Sequence, residues 1–467
     1  MSMTTQIQFE AAAADDAPLL ALPKLGLLVL RRQRPGFDPQ WGKQMEDAAR
    51  GRLKALGGDI VEPAVGVVDD PTLRAAIATF SAEACGAVIV LQPNMGDVRL
   101  IPTLAQQWDG AIVLWATPER LDTDRVSSCS LVGAHAAAAL LRQFQRPFEI
   151  AYSDPRDAGQ TQLEQSIRIA TAAAQLCRSK IGLVGQHAPG FINMHVDPAT
   201  LMQQLGVHLH HIGLAEMMTL MQSLDAADVE RDVQQALALP IDRGEVTDEQ
   251  LAVDSRFYLA TRRLMDDLTL DAIAVRCWPE MPNQIGQWPY LAMARLTTEG
   301  RVIALEGDAD GATTGLMLKL LGLGPGYISD WLEHSGRNIT LWHPGHAPLW
   351  LTQLDGSGRG PRLGRHFNTN HPIVIDAALK PDYPITLCRL WRCDGQYRMT
   401  AMEAHTRPMN RPLSGATALA ELVDRDADDW FQQLCHAGMP HHITVVEGHQ
   451  AKLLSRLARH LNLPWGP

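Results

Sequence analysis

Leu25-Gly26-Leu27-Leu28-Val29-Leu30 contains no polar side chain. Two comparable runs follow, Ala87-Val88-Ile89-Val90-Leu91 and Ala111-Ile112-Val113-Leu114-Trp115. A strand that is apolar on both faces must be covered on both faces, as in a parallel sheet wrapped by helices. Between the first two runs, Trp41 to Leu56 reads as a helix that stops at Gly57-Gly58. The pattern is α/β, with strands and helices alternating.

Working outward, residues 1–22 are polar or alanine-rich and read as a tail. Residues 23–150 read as a first Rossmann-like αβ domain, with a helix running through Arg142. The segment from Arg146-Pro147 to Asp154-Pro155 reads as a crossing into a second αβ domain, residues 151–326. There the rhythm resumes. A helix over Thr161–Cys177 leads to a strand at Lys180–Gly185 and a loop at Gln186–Phe191. Tyr258–Leu268 reads as helical, Asp271–Arg276 and Arg301–Leu305 as strands, and Gly311–Leu321 as a helix stopped by Gly322-Leu-Gly-Pro-Gly326. From about Tyr327 the pattern changes to short strands and turns, including Ile339–Trp342, Ile373–Ile375, Ile385–Leu390 and Tyr397–Met402. Residues 327–467 therefore read as a β-rich domain closed by a helix at Gln450–Leu461. No tandem repeat of solenoid period is present.

Composition narrows the class. The chain has 467 residues, 46% hydrophobic and 20% charged, which suits a globular protein of two to three domains. A net charge of −11 argues against a nucleic-acid-binding face. The seven cysteines form no Cys-x-x-Cys pair, which fits reduced thiols and a cytoplasmic location. No signal peptide is evident at the N-terminus, and no apolar stretch reaches the roughly 20 residues of a membrane span.

Three polar features stand at the edges of strand-like runs. Glu280 follows Cys277-Trp278-Pro279, Asp308 follows Glu306-Gly307, and His441-His442 opens the run Ile443-Thr-Val-Val446. Ligands of open α/β sheets bind beyond the carboxyl ends of the strands. Two carboxylates and an imidazole there suit Mn²⁺, Zn²⁺ or Fe²⁺. Each feature also has a plainer reading: Asp308 as the cap of the next helix, Glu280 as a solvated loop residue, and the histidines as an exposed pair. His187 and Phe191 lie in a post-strand loop suited to substrate contact. Trp278, Trp288 and Trp342 suit either a sugar-stacking wall or core packing. Cys277 has no triad-like partners and reads as packed. Arg359, Arg362 and Arg365, followed by His366, form a glycine-rich basic loop that suits either an anion clamp or a solvated surface.

In this order, Cys277-Trp-Pro-Glu280, Glu306-Gly-Asp308, Trp342-His343-Pro-Gly-His346-Ala-Pro348 and Gly438-Met-Pro-His441-His442 resemble the L-fucose/L-arabinose isomerase superfamily. The resemblance runs from about Leu25 to Leu461. It implies two Rossmann-like domains followed by a barrel-like β domain, and metal-dependent aldose–ketose isomerisation, usually with Mn²⁺. It places ligands and proton carriers at Glu280 and Asp308, and a histidine ligand at His441 or His442. His343 falls in a substrate-facing motif. His346 stands where relatives carry a different residue, which leaves its role open. One hydrogen moves between C1 and C2, as a proton through an enediol or as a hydride in a direct shift. The sugar is either neutral and L-fucose- or L-arabinose-like, or anionic, such as the sulfosugar sulfoquinovose. The other readings are a non-catalytic sugar-binding module of the same fold and a metal-dependent epimerase or hydrolase. Neither nucleic acid nor membrane is an expected partner.

The resemblance also implies self-association. Light scattering at working concentration should return a trimer or hexamer, and a monomer would refute the expectation.

Overall fold

The computed structural model describes residues 22–31, 37–353, 360–409 and 413–467. Nearly all of the expected tail, and Arg359, lie outside these residues. The chain forms two compact units. One comprises Leu20–Arg178 with Arg456–Leu463, the other Ser179–Ser455 with Pro464–Pro467.

The first unit contains β1 Leu25–Val29, α1 Pro39–Ala55, β2 Ile60–Val61, α2 Asp70–Ala82, β3 Ala87–Gln92, α3 Ile101–Gln107, β4 Ala111–Ala116, α4 Ser130–Gln143, β5 Glu149–Tyr152 and α5 Gln162–Leu176. Its five strands are parallel, in the order β2-β1-β3-β4-β5. The period-2 alternation of side chains divides each apolar run between two cores. Leu27, Ile89 and Val113 pack with Leu53 of α1 and Leu163, Ile167 and Ala170 of α5. Leu28, Val90 and Leu114 pack on the other face, with Phe80 of α2, Leu104 of α3 and Leu141 of α4. The packing of α5 explains why the unit ends at Arg178 rather than at residue 150: α5 supplies half of one core. The segment expected to be a crossing holds β5, whose burial alternates along Glu149-Ile150-Ala151-Tyr152 as an edge strand requires.

The second unit begins with β6 Lys180–Val184, α6 Pro198–Leu205, β7 His208–Ile212, α7 Leu214–Ser223, α8 Ala226–Leu237 and α9 Asp248–Asp267. It continues with β8 Ala272–Val275, α10 Glu280–Ile285, α11 Tyr290–Thr298, β9 Val302–Ala304 and α12 Ala309–Leu320. The four strands are parallel, in the order β7-β6-β8-β9. The chain therefore reverses its strand order between β6 and β8, where ligands of such sheets usually bind.

The rest of the unit is β10 Tyr327–Ser335, β11 Asn338–His343, β12 Arg362–Arg365, β13 Pro372–Ala378, β14 Pro384–Cys393, β15 Gln396–Arg407, β16 Ala416–Leu422, α13 Ala427–His436 and β17 His442–Glu447, followed by α14 Ala451–His460, whose residues from Arg456 onward belong to the first unit. Strands β11, β10, β17, β14, β15 and β16 pair antiparallel in sequence around a ring, and β11–β16 pairing closes it. The expected β-rich domain is thus a closed barrel, extended by β13 and β12 beside β16. No described helix is long and apolar enough to cross a membrane.

One buried carboxyl in the second unit sets a pH dependence. Asp254 of α9 accepts from Ala292 N at 3.1 Å, while its Oδ2 is buried with no partner. Burial pushes this carboxyl up to about 7, against the pull of the Arg295 charge and the Ala292 N–H; Asp232 adds to the rise. The folded protein then holds a proton that the unfolded chain releases near 3.8. The resulting stabilisation is complete below the unfolded value and is lost as pH rises through about 7. Asp254→Asn should flatten the fall in urea stability between weakly acidic and weakly alkaline pH; equal slopes in both proteins would refute the assignment.

Candidate functional site

The site forms where the loops after β8 and β9 meet the barrel. Glu306 stands two residues before the helix cap and has a positive φ of 59°. Its backbone is held from two sides. Its N–H donates to Cys277 Sγ at 3.4 Å, and its carbonyl accepts from Ala188 N at 2.8 Å. Gly307 follows with φ 70°, and a Cβ there would lie 2.0 Å from the Gln186 carbonyl oxygen, so only glycine passes. Asp308 is the N-cap of α12 and accepts from Gly311 N at 2.8 Å.

The barrel brings the partners. Antiparallel register sets Asp330 of β10 opposite His442 of β17 on one side and opposite Trp342 of β11 on the other. His343 ends β11 beside Trp342. Arg389 of β14, fully buried, grips Asp308 with two bonds of 2.6 and 2.8 Å. His442 Nδ1 lies 2.8 Å from Asp308 Oδ2. Burial would raise the Asp308 carboxyl, but the Arg389 charge and the bonds from His442 and Arg389 hold it well below the usual carboxylate range.

The opposite nitrogen of His442 makes no hydrogen bond. Nε2 lies 3.4 Å from Glu306 Oε2 and 3.9 Å from Asp330 Oδ1. All three atoms are buried, and none makes a hydrogen bond. Buried polar atoms rarely stay unpaired unless an ion or water serves them. Two sets of potential ligand atoms cluster within 4.8 Å: Glu306, His343 and His442, and Asp330, His441 and His442. Burial pushes Asp330 up to about 6, partly offset by the His442 charge and reinforced by Glu306. Burial keeps His343 and His346 neutral, the latter down to about 3.

The expected site residues separate into groups. His442 and His441 are both in the cluster. Asp308 touches it only through His442, because Arg389, Gly311 and His442 occupy its oxygens. Glu280 is in neither ligand set; it opens α10 and is bound at both oxygens by Arg276. Phe191, Trp278, His343 and His346 do converge. Ring contacts run from Trp278 to Phe191 at 6.1 Å, on to His441 at 4.7 Å and His442 at 4.6 Å. They continue to His343 at 5.7 Å, His346 at 5.6 Å and Tyr327 at 5.1 Å. His187 instead lines a cavity of about 220 Å³ with Gln186, His195, His211 and Gly307. Arg362 is exposed and lies 3.7 Å from Asp242, and Arg365 donates to the Asn370 carbonyl of its own turn. Cys277 is packed, with burial pushing its thiol up to about 12.

Glu306 and Asp330 are the residues that sequence reasoning did not assign. Glu306 stood in the same motif as Asp308, and choosing between them requires Arg389, far downstream. For Asp330 the signal was an acidic residue three positions into a strand that begins Tyr327-Ile328.

Comparison with known proteins agrees with a sugar-modifying chain. Sulfoquinovose isomerases of Priestia aryabhattai and Priestia megaterium (strain ATCC 12872 / QMB1551) are each 25% identical over 438 residues, 92% of this chain and 96% of theirs. The sulfoquinovose isomerase of Alkalicoccus urumqiensis is 24% identical over 386 residues, 81% of this chain and 85% of its own. No family model matches. Among solved structures, a periplasmic solute-binding protein from Actinobacillus succinogenes 130z with bound D-allose aligns at 12% identity. It covers 64% of this chain and 91% of its own, but a TM-score of 0.17 carries no argument.

Removing Arg389 would leave Asp308 charged and buried without its main partner. Arg389→Leu should therefore cost about 3–5 kcal/mol in urea unfolding. A loss within the ordinary surface range of about 0.5 kcal/mol would contradict the pairing.

Proposed function

We propose that this protein is a divalent-metal-dependent aldose–ketose isomerase acting on a sulfosugar of the sulfoquinovose type. The observation that carries the proposal is the convergence of three unpartnered buried atoms, Glu306 Oε2, Asp330 Oδ1 and His442 Nε2. Its context is a chain that aligns nearly end to end with sulfoquinovose isomerases. The substrate class rests on those relatives. The basic loop gives it little support, since Arg362 and Arg365 already have partners.

The donor set fits a cation of the Mn²⁺ type. Each clustered set offers one carboxylate and two imidazoles, oxygen with nitrogen and no thiolate, and the two sets share His442. His343 and His441 lie close enough to complete the set or to meet the sugar. A bound cation would supply Lewis-acid polarisation of the sugar oxygens at C1 and C2.

The chain's own groups account for the rest. Isomerisation removes a proton from one carbon and returns it to the next. Glu306 and Asp330 flank the same imidazole from different elements, so one can accept the proton while the other serves the adjacent oxygen. Neutral His343 and His346 can donate or accept hydrogen bonds from sugar hydroxyls without adding charge. Phe191 and Trp278 offer apolar ring faces to the C–H side of the sugar.

The test uses purified protein with Mn²⁺ and sulfoquinovose in D₂O. Proton NMR should show loss of the C2 proton and growth of the ketose. Glu306→Gln and Asp330→Asn should each lower kcat/KM by about 10²–10⁴-fold. A panel of anionic and neutral aldoses, L-fucose and L-arabinose included, with neither exchange nor ketose formed under Mn²⁺, Zn²⁺ or Fe²⁺ would sink the proposal. Exchange of neutral sugars alone would remove only the sulfosugar.

A further inference from the structure

We propose that Asp308, backed by Arg389, is a positioning residue that fixes which nitrogen of His442 faces the metal, and is not itself a ligand. The proposal rests on the metal-isomerase reading for its purpose, while its geometry is that of the chain's own side chains.

A carboxylate offers about four lone-pair sites. At Asp308 four donors meet them: two Arg389 nitrogens, Gly311 N and His442 Nδ1, at 2.6 to 2.8 Å. The side chain is fully buried, so nothing further can approach. Arg389 has no proton to lose and no acceptor to offer. The carboxylate is therefore an acceptor only, and the proton of the 2.8 Å contact sits on His442 Nδ1. Nε2 is left as the one nitrogen able to present a lone pair. It is also the nitrogen that faces Glu306 and Asp330. A carboxylate behind a ligating imidazole fixes the ring and raises its basicity.

The lock is stiffened by its attachments. Leu390 N, next to Arg389 in β14, donates to Thr314 Oγ1 of α12 at 3.1 Å. Tyr397 OH of β15 donates to Asp310 Oδ1 of α12 at 2.8 Å. Helix α12 is thus tied to two barrel strands besides β17, and the Asp308–His442 distance cannot drift without breaking these bonds.

Asp308→Asn is the discriminating variant, because Asn is also a good N-cap and nearly isosteric. Co²⁺ reports both affinity and coordination through its d–d absorption. The expected result is a 10–100-fold weaker Co²⁺ affinity with unchanged band positions and unchanged circular dichroism. Glu306→Gln and Asp330→Asn should shift the bands. Bands that move in Asp308→Asn as in Asp330→Asn would make Asp308 a ligand, and wild-type affinity would make it structural only; either overturns the proposal. Selective ¹⁵N-histidine labelling of the metal-free wild type gives a second measurement, needed if the variant misfolds. His442 Nδ1 should have the shift of a protonated nitrogen, and a bare Nδ1 overturns the lock. If the wild type takes up no Co²⁺, the metal reading fails by itself and the ¹⁵N shift alone decides the lock.

Discussion

The buried ion pair between Asp308 and Arg389 is the contact on which the site depends. Two charges at zero exposure are costly unless every lone pair and proton is met. Here the guanidinium fork, the amide of Gly311 and the ring of His442 meet them on the carboxylate side. The three parties come from separate parts of the chain: the loop after β9, strand β14 and strand β17. Satisfying the pair requires the sheet and the barrel of the second unit to meet in one arrangement. That arrangement also brings Glu306 and Asp330 to the same imidazole.

The rest of the geometry follows from strand order and register. The reversal between β6 and β8 opens a crevice at the carboxyl ends, and the loops after these strands and β9 brace one another there through Ala188, Glu306 and Cys277. In the barrel, antiparallel pairing fixes Asp330 across from His442. A shift of one residue would turn Asp330 to the opposite face of the sheet. Precision in the site therefore comes from backbone pairing, while the loops add the strained turn at Glu306 and Gly307.

Much of this was legible in the sequence. The runs at Leu25, Ala87, Ala111 and Lys180 are strands, as their shortness and aliphatic, partly β-branched content suggest. The helices at Pro39–Ala55, Gln162–Leu176 and Ala309–Leu320 match the expected spans within a few residues. Strand β5 was missed because its alternating, half-exposed pattern is short and begins just after Arg146-Pro147. The site was legible as a neighbourhood but not in its atoms. Asp308 read both as a ligand and as a cap, and the structure makes it a cap. Arg389 lay inside the run Ile385–Leu390, where a charge in an apolar strand could not reveal its distant partner. Glu280 read as a ligand, and Arg276, four residues earlier, bonds both of its oxygens.

Closure of the barrel through β11 and β16 has a consequence for the sheet's edges. A closed ring presents no unpaired backbone to another molecule, which leaves the short strand β12 as the exposed margin of this sheet. β12 is four residues long, reads Arg362-Leu363-Gly364-Arg365, and exposes both arginines. One residue of it also bridges to Asp242. Brevity and charge are among the features by which natural sheets discourage strand-to-strand polymerisation. The arginines at this margin thus put like charge where another strand would have to pair.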